Sequence, residues 1–207
     1  KDPRHVENVV HLLDEGNTIP FIARYRKELH GAMDDTSLRT LEERLQYLRG
    51  LEERREAVKK SIDEQGKLTD ELAAAIDSAK TLAEVEDLYR PYKQKRRTRA
   101  TMAKEKGLEP LAALLFAQER DCPRPEEAAR DFVDPEKGVE TVEDALQGAS
   151  DIIAEQISDD AAIRKSLRAL ISRQGQLVSR AATEDDSVYR LYYDFTQSVA
   201  RLQGHQV

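Results

Sequence analysis

The chain has 207 residues, 35% charged and 39% hydrophobic, which favours a helical protein with a sizeable core. Its formal net charge of −7 argues against a histone-like protein that coats any polyanion. The lone Cys122 excludes a disulfide framework or a cysteine-based zinc site and fits a reducing, cytoplasmic compartment, and no apolar run approaches the roughly 20 residues of a membrane span.

Two short helices are predicted at the start of the chain. Asp2 is expected to cap the first helix, with Pro3 at its first position, and Gly16 is expected to end it. Thr18 is placed to cap the second helix. Its apolar positions expected to face inward are Phe21, Ile22 and Tyr25.

One long helix is predicted from about residue 37 to residue 65, with Gly66 after its end. Its apolar residues recur at helical spacing and form a nearly continuous seam of Leu38, Leu41, Leu45, Leu48, Leu51, Val58 and Ile62. Gly50 marks either a weak point or a close-packing site, since Gly costs about 1 kcal/mol relative to Ala in a helix. At ~1.5 Å per residue the helix would be roughly 43 Å long, which predicts a strut between two helical lobes.

Short helices are predicted through the middle of the chain. One runs over residues 69–79, and a capping box at residues 81–84 begins the next. After a basic stretch, another short helix ends at Gly107 and is followed by a helix over 110–118. This helix-turn-helix-like pattern is found more often in plain helical hairpins than in DNA-reading motifs.

Residues 119–139 are rich in proline and acidic residues, which predicts a mobile loop with a short helical turn at 125–132. A helix is predicted over 141–157. The helix after it ends at Gly175, and its residues expected to pack inward are Ile163, Leu167, Leu170 and Ile171. Leu177 and Val178 form the only plausible strand, whereas residues 188–195 and 199–202 are predicted to be helical.

The fold class predicted from these elements is all-α, an array of helical hairpins with one long strut helix. Three segments are expected: 1–66 with the first hairpin and the strut, 67–118 with the basic stretch, and 119–207 with an acidic loop and a further helical lobe. Because the chain opens at Lys1 without Met, we expect it to be an excerpt of a longer protein.

No catalytic or metal-binding motif is present in the sequence. HExxH, GxSxG, Walker A and GxGxxG are all missing. The four histidines lack the spacing of metal ligands, and the aspartate pairs at 34–35 and 159–160 precede helices, where capping is commoner than metal binding. We therefore predict a non-catalytic region without a cofactor.

A basic connector, residues 88–101, is the most distinctive stretch. Residues 88–106 hold eight bases and one acid, and Pro91 disfavours a continuous helix, so the cations are expected to lie on an exposed connection. The candidate nucleic-acid-binding residues are Tyr89, Arg90, Tyr92, Lys93, Lys95, Arg96, Arg97 and Arg99. They could bind phosphate, with a tyrosine stacking on bases or packing, or dock on acids of this chain, of which residues 105–160 hold sixteen.

Three stretches in the same order carry a resemblance to a known family: residues 18–28 (TIPFIARYRKE), 88–100 (LYRPYKQKRRTRA) and 148–155 (GASDIIAE). Together they resemble the N-terminal helical region of the Tex-like family of bacterial transcription accessory proteins. Gln94 stands where that family usually has proline, and Ala32 where it often has glycine, which makes both loops less constrained.

The resemblance implies a longer protein with downstream RNase-H-like, helix-hairpin-helix and S1 domains, in which the S1 domain is the main RNA-binding element. Two hypotheses follow. The chain is an accessory module that binds DNA or RNA through the basic connector, or it is a scaffold that positions the downstream domains and docks on the transcription machinery. If carboxylates of the same molecule neutralise the connector, the scaffold hypothesis alone remains.

Overall fold

In the computed structural model, which describes residues 2–183 and 185–206, the chain is mainly helical, and the predicted all-α class is confirmed. The helices are α1 (Pro3–Asp14), α2 (Ile19–Tyr25), α3 (Lys27–His30), α4 (Asp35–Asp63), α5 (Asp70–Ser78), α6 (Leu82–Tyr89), α7 (Arg99–Glu105), α8 (Glu109–Ala117), α9 (Pro125–Ala129), α10 (Val142–Asp159) and α11 (Ala161–Gln174). Strands β1 (Gln176–Arg180) and β2 (Asp194–Ser198) pair antiparallel. The chain forms two compact units, 1–85 and 86–207. The division into three segments remains a prediction.

Local capping begins α1 of unit 1–85, whereas Thr18 precedes α2 without the predicted side-chain cap hydrogen bond. The Asp2 carboxylate accepts a hydrogen bond from the Arg4 backbone N–H at 3.0 Å, and Gly16 adopts φ +84° after α1. Helices α1, α2 and α4 enclose a core formed by Val9, Leu12, Ile19, Ile22, Met33 and Leu38. The inward placement of Tyr25 is wrong, because this residue ends α2 and packs on the Phe21 ring with 57% of its surface exposed.

The long predicted helix is α4, which begins two residues early because the Asp34 carboxylate accepts from the Ser37 backbone N–H at 2.8 Å. Its apolar seam is fully buried at Leu38 and again from Leu51 onward, but not between these two residues. The buried residues are Leu38, Leu51, Val58 and Ile62. Between them Leu48 is 45% exposed, and Leu41 and Leu45 are half-buried. Helix α4 lies within unit 1–85, and its role as a strut remains a prediction.

The core of unit 86–207 is built mainly from α7, α8, α9 and α10. Its members are mostly small residues, including Ala100, Ala103, Leu108, Leu111, Ala129, Val139, Ala145, Ala149 and Ile152. The mobile loop predicted for residues 119–139 is wrong, because Ala129 and Val139 are fully buried and Asp134 forms a β-bridge with Val139. The helical turn predicted within it is present as α9 and a following 3-10 turn.

The segment from α11 onward departs most from the sequence-based expectations. The four apolar residues of α11 predicted to pack inward are exposed: Ile163 38%, Leu167 50%, Leu170 42% and Ile171 55%. Residues 194 and 195, predicted to end a helix over 188–195, instead begin β2, whose backbone pairs with β1 from Gln176↔Ser198 to Arg180↔Asp194. Residues 199–201 form a 3-10 turn rather than an α-helix.

An ion triad with a buried carboxylate ties the end of α6 to α11. Asp87 is 4% exposed and accepts hydrogen bonds at 2.6 Å from Arg164 Nε and at 2.6 Å from Arg168 Nη2. Burial raises the pKa of the Asp87 carboxyl, but the hydrogen bonds from the two guanidinium groups outweigh burial and hold this pKa below its usual range.

Replacing Gly50 or Gly148 with alanine is expected to change stability in opposite directions. A Cβ at Gly50 of α4 would meet nothing within 4 Å, so the close-packing interpretation of this residue is wrong. A Cβ at Gly148 of α10 would lie 2.3 Å from Leu108 Cδ1 and 3.3 Å from Ala103 Cβ, both buried. We expect Gly50→Ala to raise the free energy of unfolding by about 0.5–1 kcal/mol and Gly148→Ala to lower it by about 1–3 kcal/mol, measured by urea denaturation. Equal effects of the two substitutions would contradict this packing.

The Asp87 triad predicts a pH dependence of stability. A carboxyl whose pKa is depressed by folding stabilises the protein above its unfolded pKa, near 3.9, and loses that contribution as pH falls. We expect Asp87→Asn to reduce the free energy of unfolding by about 1.5–3 kcal/mol at pH 7, and the difference from wild type to shrink below about pH 4. Parallel denaturation series at pH 7 and pH 3 measure this. A difference that stays constant would show that the charge of Asp87 is not what stabilises the fold.

Candidate nucleic-acid interface

The basic connector links α6 to α7 by a path that its sequence specifies locally. Helix α6 ends at Tyr89, a 3-10 turn with Pro91 as its central residue follows, and the chain then runs without a helix to Thr98. The Thr98 hydroxyl accepts a hydrogen bond from the Thr101 backbone N–H at 3.0 Å and begins α7. The six cations therefore lie on and beside a short irregular segment, where their side chains can point to opposite sides.

One side of the connector lies against α10, and we call its cations, Arg90 and Lys95, the inner cations. Arg90 Nε lies 2.9 Å from Asp159 Oδ1, and Lys95 pairs with both Asp159 and Glu155, the latter at 3.4 Å. The Thr98 hydroxyl is also 3.0 Å from Glu155 Oε1. Asp159 and Glu155 are only 14% and 24% exposed, so these pairs are partly desolvated and hold the connector in place.

The remaining cations face solvent, and we call Lys93, Arg96, Arg97 and Arg99 the outer cations. Lys93 lies 3.3 Å from Glu86 and Arg97 lies 2.7 Å from Glu105, while the Arg99–Asp151 distance is 3.9 Å. Side-chain exposures of 56%, 69% and 80% for these three mean that each pair contributes roughly 0–1 kcal/mol. Within the part of the chain that the structure describes, Arg96 is exposed and has no ion-pair partner.

The two tyrosines of the connector are half-buried. Lys93 Nζ lies 5.8 Å from the centroid of the Tyr89 ring, within range of a cation–π interaction. Tyr89 and Tyr92 also make further contacts within the protein. Their arrangement favours a packing role for the two tyrosines over a role as exposed rings on which bases stack.

Sequence reasoning did not identify the particular carboxylates that meet the connector. Asp151, Glu155 and Asp159 follow one another at four-residue steps, and this spacing places them on one face of the helix predicted there. With the connector they line a cleft of about 440 Å³. The expectation that the connector docks on the chain's own acids therefore holds for its inner cations and only loosely for its outer ones.

Other chemistry is sparse in the described ranges, 2–183 and 185–206. No group of three or more His, Cys, Asp or Glu side chains there is arranged to hold a metal ion. None of the helices in these ranges is both long and apolar enough to cross a bilayer. Among the described residues, the basic connector and the carboxylates beside it are therefore the strongest candidate for a functional site.

Comparison with known proteins gives consistent matches. The family model for the Tex-like protein N-terminal domain matches residues 1–63, and the model for the Tex central region matches residues 121–207. Protein YhgF of Escherichia coli (strain K12) is 49% identical over 207 residues, covering 99% of this chain and 26% of its own length. Transcriptional accessory protein Tex of Neisseria gonorrhoeae is 44% identical over 206 residues, covering 97% of this chain and 26% of its own length.

A more distant relative is eukaryotic. S1 RNA-binding domain-containing protein 1 of Homo sapiens is 29% identical over 217 residues, which cover 100% of this chain and 21% of that protein. The chain thus spans about a quarter of the length of the curated relatives it matches. With two family models matched in order and bacterial relatives aligned over almost its full length, the chain belongs to the Tex-like protein family.

Proposed function

We propose that this region is a non-catalytic accessory module of a Tex-like transcription accessory protein, and that it contacts the phosphate backbone of DNA or RNA through the outer cations. The observation that carries the proposal is the exposure of Arg96, Arg97 and Arg99 beside a connector that the inner cations hold in place. The names of two relatives, a transcriptional accessory protein and an S1 RNA-binding domain-containing protein, agree with a role near nucleic acid.

The outer cations can exchange their carboxylate partners for phosphate at little cost. Exposed ion pairs are weak and are screened by salt, whereas an arginine fork binds phosphate through two parallel hydrogen bonds. The inner cations would have to leave partly desolvated carboxylates behind, which costs considerably more. We therefore assign phosphate contacts to the outer cations and a positioning role to Arg90 and Lys95.

Binding by this region alone should be weak. The nearby carboxylates Glu86, Glu105 and Asp151 compete with phosphate, and the chain as a whole carries a charge of −7. Counterion release from a few phosphates gives a small, salt-sensitive affinity. The remainder of a Tex-like protein, about three quarters of the relatives' length, would supply most of the affinity.

The salt dependence of binding tests this proposal directly. If three outer arginines engage duplex DNA, log K should fall with log[salt] at a slope of about −2.7, and Arg96→Ala/Arg97→Ala should reduce the slope to about −0.9. Fluorescence anisotropy of the 207-residue chain with labelled single- and double-stranded DNA and RNA measures both slopes and the preferred nucleic acid.

The matched control is Lys60→Ala/Lys67→Ala, which removes the same charge from exposed positions of the other unit. This control should keep the wild-type slope. Equal weakening by the two double variants would mean that net charge, rather than the basic connector, governs association. Absence of salt-dependent binding by wild type at low ionic strength would refute the proposal.

The partly desolvated inner ion pairs support a second candidate function, a scaffold that positions the downstream domains or docks on the transcription machinery. On this alternative the connector serves only to fix α6, α7 and α10 together. The outer cations would then be dispensable for every nucleic-acid activity of the protein.

Stability measurements separate the roles of the inner and outer cations. We expect Lys95→Ala to lower the free energy of unfolding by about 1–2 kcal/mol, because Glu155 then loses its cationic partner and Asp159 keeps only Arg90 among the described residues. Arg96→Ala/Arg97→Ala should change it by less than about 0.5 kcal/mol. Urea denaturation measures both. A clear loss of stability in the outer variant, with nucleic-acid binding intact, would favour the scaffold.

A further inference from the structure

An apolar groove lies between α1 and the middle of α4 in unit 1–85. Its apolar lining is formed by Val6 and Val10 of α1, by Leu41, Leu45 and Leu48 of α4, and by Met33, and its volume is about 530 Å³. Val6 and Leu41 also pack against the core of this unit, so the floor of the groove continues that core. This is the stretch, between Leu38 and Leu51, where the predicted seam of α4 is only partly covered.

The spacing of these residues suits a helix. Leu41, Leu45 and Leu48 recur at i, i+4 and i+7 on one face of α4, and Val6 and Val10 recur at i and i+4 on α1. Residues 41–48 advance by about 10 Å along the helix axis, which equals two helical turns of a ligand. Two facing apolar ridges of this kind form the groove into which amphipathic helices bind.

The polar edge of the groove carries a cation and no carboxylate among the described residues. It is formed by the hydroxyl residues Thr36, Ser37 and Thr40 and by Arg44. The Arg44 guanidinium lies 5.1 Å from the centroid of the Tyr47 ring and has no ion-pair partner in the described parts of the chain. An unpaired cation beside an acid-free apolar groove, in a chain with 40 acids, calls for an anionic complement from outside.

We propose that this groove binds an amphipathic α-helix of a protein partner, with apolar residues at i, i+3 or i+4, and i+7, and with an Asp or Glu that pairs with Arg44. A second copy of this chain is disfavoured as the occupant. A two-fold pairing of α4 with α4 centred on Leu45 would bring the two Arg44 side chains next to each other. The proposal is independent of the nucleic-acid role, because the basic connector belongs to the other unit.

Selection from a displayed library of single-helix peptides against the 207-residue chain tests this inference. Enriched peptides should share the apolar spacing and carry an acid. Leu48→Glu, at a position 45% exposed, should reduce their affinity for the chain by about tenfold or more. Arg44→Glu should invert the preference, so that a peptide with Lys in place of its acid binds better than the parent. Tyr25→Glu, which places the same acid at an exposed position of this unit outside the groove, should leave affinity unchanged.

Circular dichroism of each variant verifies the fold before binding is compared. The proposal is overturned if no peptide binds wild type better than Leu48→Glu, or if Arg44→Glu leaves the acid preference intact. It is also overturned if sedimentation velocity shows wild type to be a dimer that Leu48→Glu dissociates, because the groove would then be occupied by a second copy. Loss of salt-dependent DNA binding in the connector variants has no bearing on any of these outcomes.

Discussion

The ion pairs between the inner cations and α10 are the interaction on which the path of the basic connector depends. Six cations within ten residues repel one another, and Glu155 and Asp159, one helical turn apart, offset that repulsion from one side. With Arg90 and Lys95 committed to these carboxylates, the connector follows α10 and α7 begins at a fixed position. The outer cations are directed to solvent as a consequence.

This division gives the basic connector a structural side and, under the proposed function, a side that binds phosphate. Partly desolvated pairs with good geometry are costly to break, whereas exposed pairs exchange readily with other anions. A local count of charge would treat all six cations as equivalent. In a protein as long as these relatives, which are about four times the length of this chain, a modest contact of this kind would add to affinity supplied elsewhere.

Apolar periodicity identified the faces of the helices but not which faces are covered. The stripe on α11 from Ile163 to Ile171 is apolar as predicted, yet it is exposed, and the leucines in the middle of α4 lie at the edge of a groove. In contrast, α10 is covered closely, because Gly148, Ala145 and Ala149 let neighbouring helices approach it. Whether a helix face is covered depends on the side-chain volumes of both elements in a contact, whereas the spacing of apolar residues describes only one of them.

The amino-acid sequence by itself determined most of the helices before residue 176 and many of their first residues, because a cap such as Asp2, Thr98 or Thr141 acts on a backbone N–H only two or three residues away. It also carried the family resemblance, which depends on order and identity of residues alone. Only the tertiary structure decided that residues 194–198 form a strand and that Arg90 meets a carboxylate 69 positions away. Such pairings depend on how distant segments fold together, and local spacing does not encode them.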